Sequence, residues 1–157
     1  MGRKNCLVKI SGDMLNNKTF TFIKKLSLKY FVAICIGGGT QINRAFKEAG
    51  LPIRKFGLLG RATPTLEERL LSYNILSKNQ AEIQDRLADL GIYVAVEIPM
   101  DNVATVLCPQ NGDYFIIKSY HGYDLLYVVT VKKKVKEKQE FFNQFQRKRG
   151  KIRVIGF

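Results

Sequence analysis

Short apolar runs rich in β-branched and aromatic residues recur along the chain, and they predict β-strands. Five of these runs lie at 6–10, 31–36, 92–98, 125–131 and 151–157. The run LLYVVTV at 125–131 has hardly any polar position, which is typical of a strand covered on both faces. Two shorter runs, VATVL at 103–107 and YFIIK at 114–118, predict further strands around a QNGD turn.

Between these runs, apolar residues recur three and four positions apart, which predicts amphipathic helices. The predicted helices cover 19–30, 42–49, 65–90 and 135–149. The segment 65–90 is expected to form two pieces that divide near residues 78–79. Strands that alternate with helices indicate an α/β fold around a mainly parallel sheet. No linker-like composition interrupts the pattern, so residues 1–157 are interpreted as a single domain.

Composition narrows the class of protein. A chain of 157 residues, 46% of them hydrophobic, can form one globular domain with a real core. No apolar stretch approaches the roughly 18 residues that a membrane helix needs, and the start is too polar for a signal peptide. Three cysteines without CxxC spacing favour reduced thiols, which are expected to be buried at Cys6 and Cys35. We therefore expect a cytoplasmic protein with no membrane partner.

The net charge of +13 is concentrated toward the carboxyl terminus. Residues 132–153 contain ten Lys or Arg against two Glu, a balance of +8. Such a surface attracts nucleic acid, nucleotide phosphates or anionic lipid, and charge alone does not choose among them. Aromatic residues near this segment would add stacking surface for single-stranded nucleic acid. A solvated helix face that aids solubility explains the same charge equally well.

The stretch FVAICIGGGTQIN at 31–43 places three glycines between a strand and a helix. Gly37, Gly38 and Gly39 raise the entropy cost of folding, so the backbone must turn tightly there or admit a close neighbour. Exposed N–H groups and the helix dipole would bind an anion at this point, with Thr40 as the helix cap. No GK[ST] or GxGxxG pattern is present. Phosphate binding and a tight turn with close packing are equal alternatives for the triplet alone.

A second turn, in LVKISGD at 7–13, also joins a strand end to a lysine and a glycine. If the strands at 6–10 and 31–36 are parallel neighbours, Lys9 and Gly12 emerge at the same sheet edge as the glycine triplet. A lysine there would add a point charge for phosphate to the backbone donors. A surface lysine is the alternative for Lys9 alone, but the two turns together favour a phosphate site.

KISGD at 9–13 and IGGGTQIN at 36–43, in this order, resemble the amino-acid kinase family, which includes uridylate, acetylglutamate, aspartate and isopentenyl phosphate kinases. GGGTQIN is most similar to acetylglutamate kinase. KISGD, and the placement of Asn79 ahead of LGI, are more similar to uridylate kinase. The resemblance covers roughly residues 5–98, and LLYVVT and KIRVIGF resemble two later strands of the family.

This resemblance implies a three-layer α/β/α sandwich and transfer of the ATP γ-phosphoryl group, with Mg²⁺, to a phosphate or carboxylate acceptor. Such chemistry is largely positioning and charge stabilisation. By analogy, Lys9 would neutralise charge on the transferred group, and Gly12 would let the phosphate approach the backbone. The glycine triplet and Thr40 would hold the acceptor or the migrating group. Arg44 and Arg61 would clamp anions, although surface ion pairing explains both arginines as well.

The chain departs from the family in its second half and is much shorter than ordinary members. After Thr130, the family's lysine and DG turn, which shape the adenine and ribose pocket, are replaced by VKKKVKEK. Lys132 would serve there as the second phosphate lysine. Asp113 is the candidate for the aspartate that orients the two lysines and assists the metal, but its NGD context favours a hairpin turn. No protein-held metal site is predicted, because His121 has no partner at ligand spacing.

The predicted function is phosphate or nucleotide binding on an amino-acid kinase fold, with uridylate kinase-like transfer of phosphate from ATP in the presence of Mg²⁺. One alternative is a catalytically inactive binding or regulatory module, which needs no cofactor. Another is a basic protein that binds RNA or a different partner through residues 132–153. By analogy with the family, whose members usually associate through helices, a homo-oligomer is also expected.

Overall fold

A sheet of five parallel strands forms the centre of the computed structural model, which describes residues 2–157 except the side chains of residues 55, 56 and 58. The strands are β1 Asn5–Ile10, β2 Phe31–Ile36, β5 Ala95–Glu97, β8 Leu125–Thr130 and β9 Ile152–Gly156. Their order is β5-β2-β1-β8-β9, which places β1 in the middle. Two antiparallel hairpins lie outside this sheet: β3 Arg54–Phe56 with β4 Gly60–Ala62, and β6 Met100–Val103 with β7 Val106–Pro109.

The helices of the described chain connect these strands. They are α1 Asn17–Ser27, α2 Gly39–Glu48, α3 Leu66–Asp89, α4 Gly112–Lys118 and α5 Val135–Asn143. Local sequence fixes several of their starts: Thr65 and Glu68 form a capping box at the start of α3. None of the described helices is long and apolar enough to cross a membrane.

The two faces of the sheet carry different helices, because side chains alternate along each strand. Val8 of β1 packs in one buried cluster with Ile23 of α1, and α3 contributes to the same cluster. Leu7, on the opposite face, packs in a second cluster with Ile116 of α4 and Phe142 of α5. Burial on both faces explains the nearly continuous apolar runs of the strands. The predicted three-layer α/β/α sandwich with a parallel sheet is confirmed.

The central pair of strands has the arrangement that the sequence analysis required for a shared turn region. β1 and β2 are parallel, and their register runs from Asn5 opposite Phe31 to Ile10 opposite Ile36. The two strands therefore end side by side. Consequently the turns that follow them lie at the same edge of the sheet.

The long helix α3 corrects one expectation. A division near residues 78–79 was predicted, but α3 is continuous through both positions. Asn79 lowers helix propensity only slightly. Its side chain is buried, and its amide donates a hydrogen bond to the carbonyl of Gly37 at 3.1 Å. Asn79 therefore contacts the glycine loop, residues 37–39, and does not break the helix.

In the region 100–118 the structure differs from a second prediction. The runs at 103–107 and 114–118 were predicted as a pair of strands around a QNGD turn. The structure instead pairs β6 with β7, and residues 112–118 form α4. Asn111 caps this helix, since its side-chain oxygen accepts a hydrogen bond from the amide of Asp113 at 2.9 Å. The hairpin turn expected at Asp113 is therefore wrong, and Asp113 lies in the first turn of a helix.

Three smaller differences concern element lengths. The basic helix predicted over 135–149 ends at Asn143, where the amide of Phe145 bonds three residues back to Phe142 at 3.0 Å. The strand predicted over 92–98 is confined to 95–97. The hairpin of β3 and β4 was not predicted, because its strands have only three residues each.

The cysteines agree with the expectation of buried thiols. Cys6 and Cys35 are free and fully buried in the two faces of the sheet. Burial raises the pKa of each thiol to about 12. Both side chains are therefore protonated at neutral pH and serve as small apolar core residues.

Candidate active site

A cavity of about 300 Å³ lies at the carboxyl ends of the central strands. Its position follows from the register, because Ile10 at the end of β1 lies opposite Ile36 of β2 and Val129 of β8. In parallel α/β sheets this edge is where ligands bind. The cavity brings together Lys9, Gly12, the glycine triplet, Thr40 and Arg61, which the sequence analysis had singled out.

The glycine loop forms one wall of the cavity. The amide of Gly37 donates to the carbonyl of Ile10 at 2.9 Å and so ties the loop to the neighbouring strand. A Cβ on Gly12 would lie 2.9 Å from the carbonyl oxygen of Gly37, and one on Gly38 would lie 3.1 Å from the amide of Asn79. The first distance is too short for a real Cβ, and the second would require the Asn79 side chain to move by a few tenths of an ångström. The close packing of the two turns therefore depends on glycine at position 12.

The helix that follows the triplet begins at Gly39, with Gly38 at the cap position. Thr40 was expected to cap the helix, but it lies within the first turn and its hydroxyl donates to the carboxylate of Asp13 at 2.8 Å. The first helical hydrogen bond from this end is made by Ile42, whose amide donates to Gly38 at 2.8 Å. The amides before it have no acceptor within the helix and carry the positive end of the dipole. This end of α2 therefore provides backbone donors to the cavity.

Lys9 projects from the middle strand into the cavity and is only 7% exposed. Its ammonium group lies 3.3 Å from the hydroxyl of Ser11 and 3.5 Å from Oδ1 of Asp113. A Cβ on Gly112 would lie 2.7 Å from the Lys9 side chain, so α4 begins directly against it. The sequence predicted Lys9 at this edge, and the structure shows that its charge is buried and partnered.

Asp113 joins two lysines that are far apart in sequence. One carboxylate oxygen faces Lys9, and the other forms a hydrogen-bonded ion pair with Nζ of Lys138 on α5. Burial raises the pKa of the Asp113 carboxyl, but the adjacent Lys9 and Lys138 outweigh it and hold this pKa below the usual range. The carboxylate is therefore ionised at neutral pH.

The pKa of Lys9 is displaced in the same direction for a different reason. Burial lowers the pKa of its ammonium, and Asp113 opposes this shift only in part, while Lys138 adds to it. Two cations and one anion leave this cluster with an excess of positive charge. An anion at the cavity would relieve the repulsion between the two ammonium groups. The electrostatics of the cluster thus suit a phosphate or carboxylate ligand.

Lys138 lines the cavity and pairs with Asp113, whereas Lys132 is not among the described residues that line it. Lys132 lies in a short 3₁₀ turn, Lys132–Lys134, and its side chain is exposed. Lys134, at the end of the same turn, lines the cavity together with Lys138. The sequence contained a signal for Lys138, since it is a basic residue in the first turn of a predicted helix. The position of Lys138 at the cavity could be predicted only if the start of α5 was known.

The two candidate arginines lie in different positions relative to the cavity. Arg44 is exposed on α2 and is not among the described residues that line the cavity. Arg61, at the middle of β4, lines the cavity, and its Nη2 donates to the side chain of Asn43 at 2.7 Å. Its Nη1 is buried without a hydrogen-bond partner in the described chain, and burial lowers the pKa of the guanidinium. Arg61 is therefore the arginine placed to accept an anionic group.

The basic segment 132–153 does not form one continuous surface. Thr130 lies opposite Gly156, and Leu126 lies opposite Ile152, so the two ends of the segment lie at opposite edges of the sheet. The mouth cluster, Lys132, Lys133 and Lys134, follows β8 at the cavity edge. The far cluster precedes β9 at the other edge and contains Arg147, Lys148, Arg149 and Lys151. Partner binding through the whole segment remains a prediction, and a ligand would have to follow α5 to reach both clusters.

The residues of the cavity fit phosphate groups better than they fit a metal ion. The described residues include no group of three His, Cys, Asp or Glu that could hold a metal. Both oxygens of Asp113 already face ammonium groups, so a cation would have to displace a lysine to bind there. Mg²⁺ commonly keeps several waters and is held largely by substrate phosphates. A further carboxylate, Asp13, lines the cavity and accepts a hydrogen bond from the hydroxyl of Thr40 at 2.8 Å, so a bound Mg²⁺ would depend largely on phosphate oxygens of the ligand.

Comparison with known proteins establishes the fold. Neither a protein-family model nor a curated protein matches the sequence. Among solved structures, smu.665 from Streptococcus mutans UA159 is similar, with a TM-score of 0.59 and 14% identity over 80% of this chain and 72% of that one. N-acetylglutamate synthase from Neisseria gonorrhoeae, in complex with coenzyme A and N-acetyl-glutamate, has a TM-score of 0.54 and 9% identity over 98% of this chain. The same enzyme with coenzyme A and L-arginine gives a TM-score of 0.52 and 9% identity over 82% of this chain.

The chain spans 54% and 43% of the two synthase chains, so it corresponds to about half of that enzyme. At these identities the similarity shows the fold and not the activity. The protein shares with these structures an α/β fold, a parallel sheet flanked by helices.

Proposed function

We propose that this protein is a small-molecule kinase of the amino-acid kinase family, which transfers a terminal phosphoryl group to a phosphate or carboxylate acceptor. The observation that carries the proposal is the contact of Lys9 and Lys138 with Asp113 at a glycine-walled cavity. The fold is compatible with a small carboxylate ligand, because N-acetylglutamate synthase, which is similar in fold, was solved in complex with N-acetyl-glutamate. Phosphoryl transfer depends mainly on positioning and on stabilising charge, and this cavity offers both.

In the proposed reaction, an oxygen of the acceptor forms a bond to the terminal phosphorus of ATP, and the bond from that phosphorus to the bridging oxygen breaks. The electron pair of the broken bond stays with ADP. Lys9 and Lys138 would neutralise the charge on the transferred group and on the leaving oxygen. Asp113 would act as a positioning residue that holds the two ammonium groups at their distance.

The acceptor would lie on the glycine side of the cavity. The free amides at the start of α2 and the unpartnered Nη1 of Arg61 are the groups that would bind its phosphate or carboxylate. Ile42 and Leu76 line the same side and would contact an apolar part of the acceptor. Uridine monophosphate and acyl-amino acids are the acceptors to test first, since the motifs resemble those of uridylate and acetylglutamate kinases.

The test uses the full chain with γ-labelled ATP, Mg²⁺ and a panel of these acceptors. We expect label to move to one acceptor, with a loss of roughly 100-fold or more in Lys9→Met. Lys29→Met is the matched control, because Lys29 is exposed at the opposite end of β2. Transfer that survives Lys9→Met would refute the proposed site. Nucleotide binding without transfer to any acceptor would favour the inactive binding module instead.

A further inference from the structure

The second half of the cavity has an unusual lining for a nucleotide site. Beyond the glycine loop it is lined by Asn111, Gly112, Thr130, Lys134 and Lys138. These groups offer amide, hydroxyl and ammonium donors to an anionic ligand. No aromatic ring is among the described side chains that line the cavity, so none of these side chains offers a stacking surface to a nucleobase.

The charge at this end is basic and largely free of acidic partners. Among the described residues, Lys132, Lys133 and Lys134 form no ion pair, whereas Lys138 is paired with Asp113. The three lysines of the mouth cluster follow directly from the strand that ends at the cavity. Of these three, Lys134 lines the cavity together with Lys9 and Lys138, and three ammonium groups at one cavity match a ligand with several charged phosphates in a chain.

The sheet ends one strand beyond β8, and the outer edge of that strand is occupied by α5. β9 is the last strand, and Gln139 of α5 lies along its outer side. The Gln139 side chain accepts from the amide of Val154 at 2.9 Å and donates to the carbonyl of Ile152 at 3.2 Å. A cavity of about 300 Å³ is at the small end of ligand sites, which run from about 300 to 1,000 Å³. It must also hold the acceptor.

We propose that the phosphoryl donor is recognised through its phosphate chain and not through its base, so that inorganic tripolyphosphate serves as well as a nucleoside triphosphate. This inference rests on the proposed function and names the donor class for the same site. With tripolyphosphate as the donor, the bond from the terminal phosphorus to its bridging oxygen breaks, and the bond to the acceptor oxygen forms. The electron pair stays on the oxygen of the pyrophosphate that leaves.

The test is calorimetric titration of the full chain with tripolyphosphate, ATP, GTP and adenosine at one ionic strength, with and without Mg²⁺. We expect the three triphosphates to bind with dissociation constants within about threefold of one another, and adenosine not to bind at millimolar concentration. Lys134→Ala should weaken all three by a similar factor, and Lys29→Ala should not change them. These results together would support recognition of the phosphate chain.

Results that overturn the inference about the donor can be distinguished from results that refute the proposed function. ATP binding at least tenfold tighter than GTP and tripolyphosphate would overturn the inference and leave the proposed kinase standing. Tripolyphosphate binding that survives Lys134→Ala but is lost in Arg147→Ala/Arg149→Ala would show that the anion binds at the far cluster, and it would also overturn the inference. Absence of binding by all the triphosphates would refute the proposed function itself.

Discussion

The ammonium nitrogen of Lys9 lies 3.5 Å from a carboxylate oxygen of Asp113, a residue 104 positions later in the chain. This pair joins the central strand to the start of α4 and places a buried cation against the glycine loop. The second oxygen of Asp113 binds Lys138, so one carboxylate holds two cations at the cavity. Charge and geometry at the cavity both depend on this arrangement.

The first prediction concerns the pKa of Lys9, which is expected to lie below the usual value near 10.4. Asp113→Asn should lower it further, because the carboxylate favours the charged ammonium, whereas Lys138→Met should raise it. Anion binding favours the ammonium form, so it should weaken as the pH rises through this pKa. The measurement is an NMR titration of lysine side chains, and an unshifted Lys9 that ignores both substitutions would contradict the electrostatic account.

The second prediction distinguishes the two candidates for the second lysine. Lys138→Met should weaken phosphate or ATP binding about tenfold or more, since it removes a charged donor at the cavity. Lys132→Met should change the affinity by less than about threefold, because exposed charges are screened by solvent. Calorimetry on both variants makes the comparison. Equal losses in the two variants would mean that the mouth of the cavity, and not the ion pair with Asp113, sets the affinity.

The third prediction concerns the packing of the two glycine turns. Gly12→Ala should destabilise the protein by about 1–3 kcal/mol, because its Cβ would lie 2.9 Å from the carbonyl oxygen of Gly37. Ligand affinity should fall as well, since the loop must move. Gly122→Ala is the matched control, because its Cβ would make an ordinary contact of 3.6 Å. Equal stability of the two variants in urea unfolding would show that the turns do not pack as described.

The fourth prediction concerns the outer side of β9. Gln139→Leu should reduce the free energy of unfolding by about 1–3 kcal/mol, because the backbone groups of Val154 and Ile152 would lose their side-chain partners. Gln144→Leu, at an exposed position just beyond α5, should be nearly neutral. Urea unfolding of both variants provides the measurement. A neutral Gln139→Leu would mean that water replaces the amide without loss.

Much of the fold could be predicted because its signals are local. The apolar runs identified β1, β2 and β8, and the glycine turns after β1 and β2 converge as soon as those strands are parallel neighbours. The placement of the site residues in the first half of the chain depends on this parallel pairing of β1 with β2. This explains why Lys9, Gly12 and the glycine triplet were placed at one cavity from sequence.

The features that could not be predicted depend on contacts between residues that are distant in sequence. YFIIK has the composition of a strand, but in the structure it is helical, with a cap at Asn111 and with Phe115 and Ile116 packed against the sheet. The choice between Lys132 and Lys138 depended on where α5 begins. The separation of the two basic clusters follows from the parallel pairing of β8 with β9, which places the residues after β8 and the residues before β9 at opposite edges of the sheet.

The most direct test of the central claim is an amide NMR titration of the full chain with Mg²⁺ and ATP. Glycine amides resonate apart from most others, so Gly12, Gly37, Gly38 and Gly39 can be followed individually. We predict that these four amides shift together on saturation, and that Lys9→Met abolishes the shifts at the same ligand concentration. Shifts confined to the far cluster at residues 147–151, with the glycine amides unchanged, would contradict the claim that this cavity is the phosphate site.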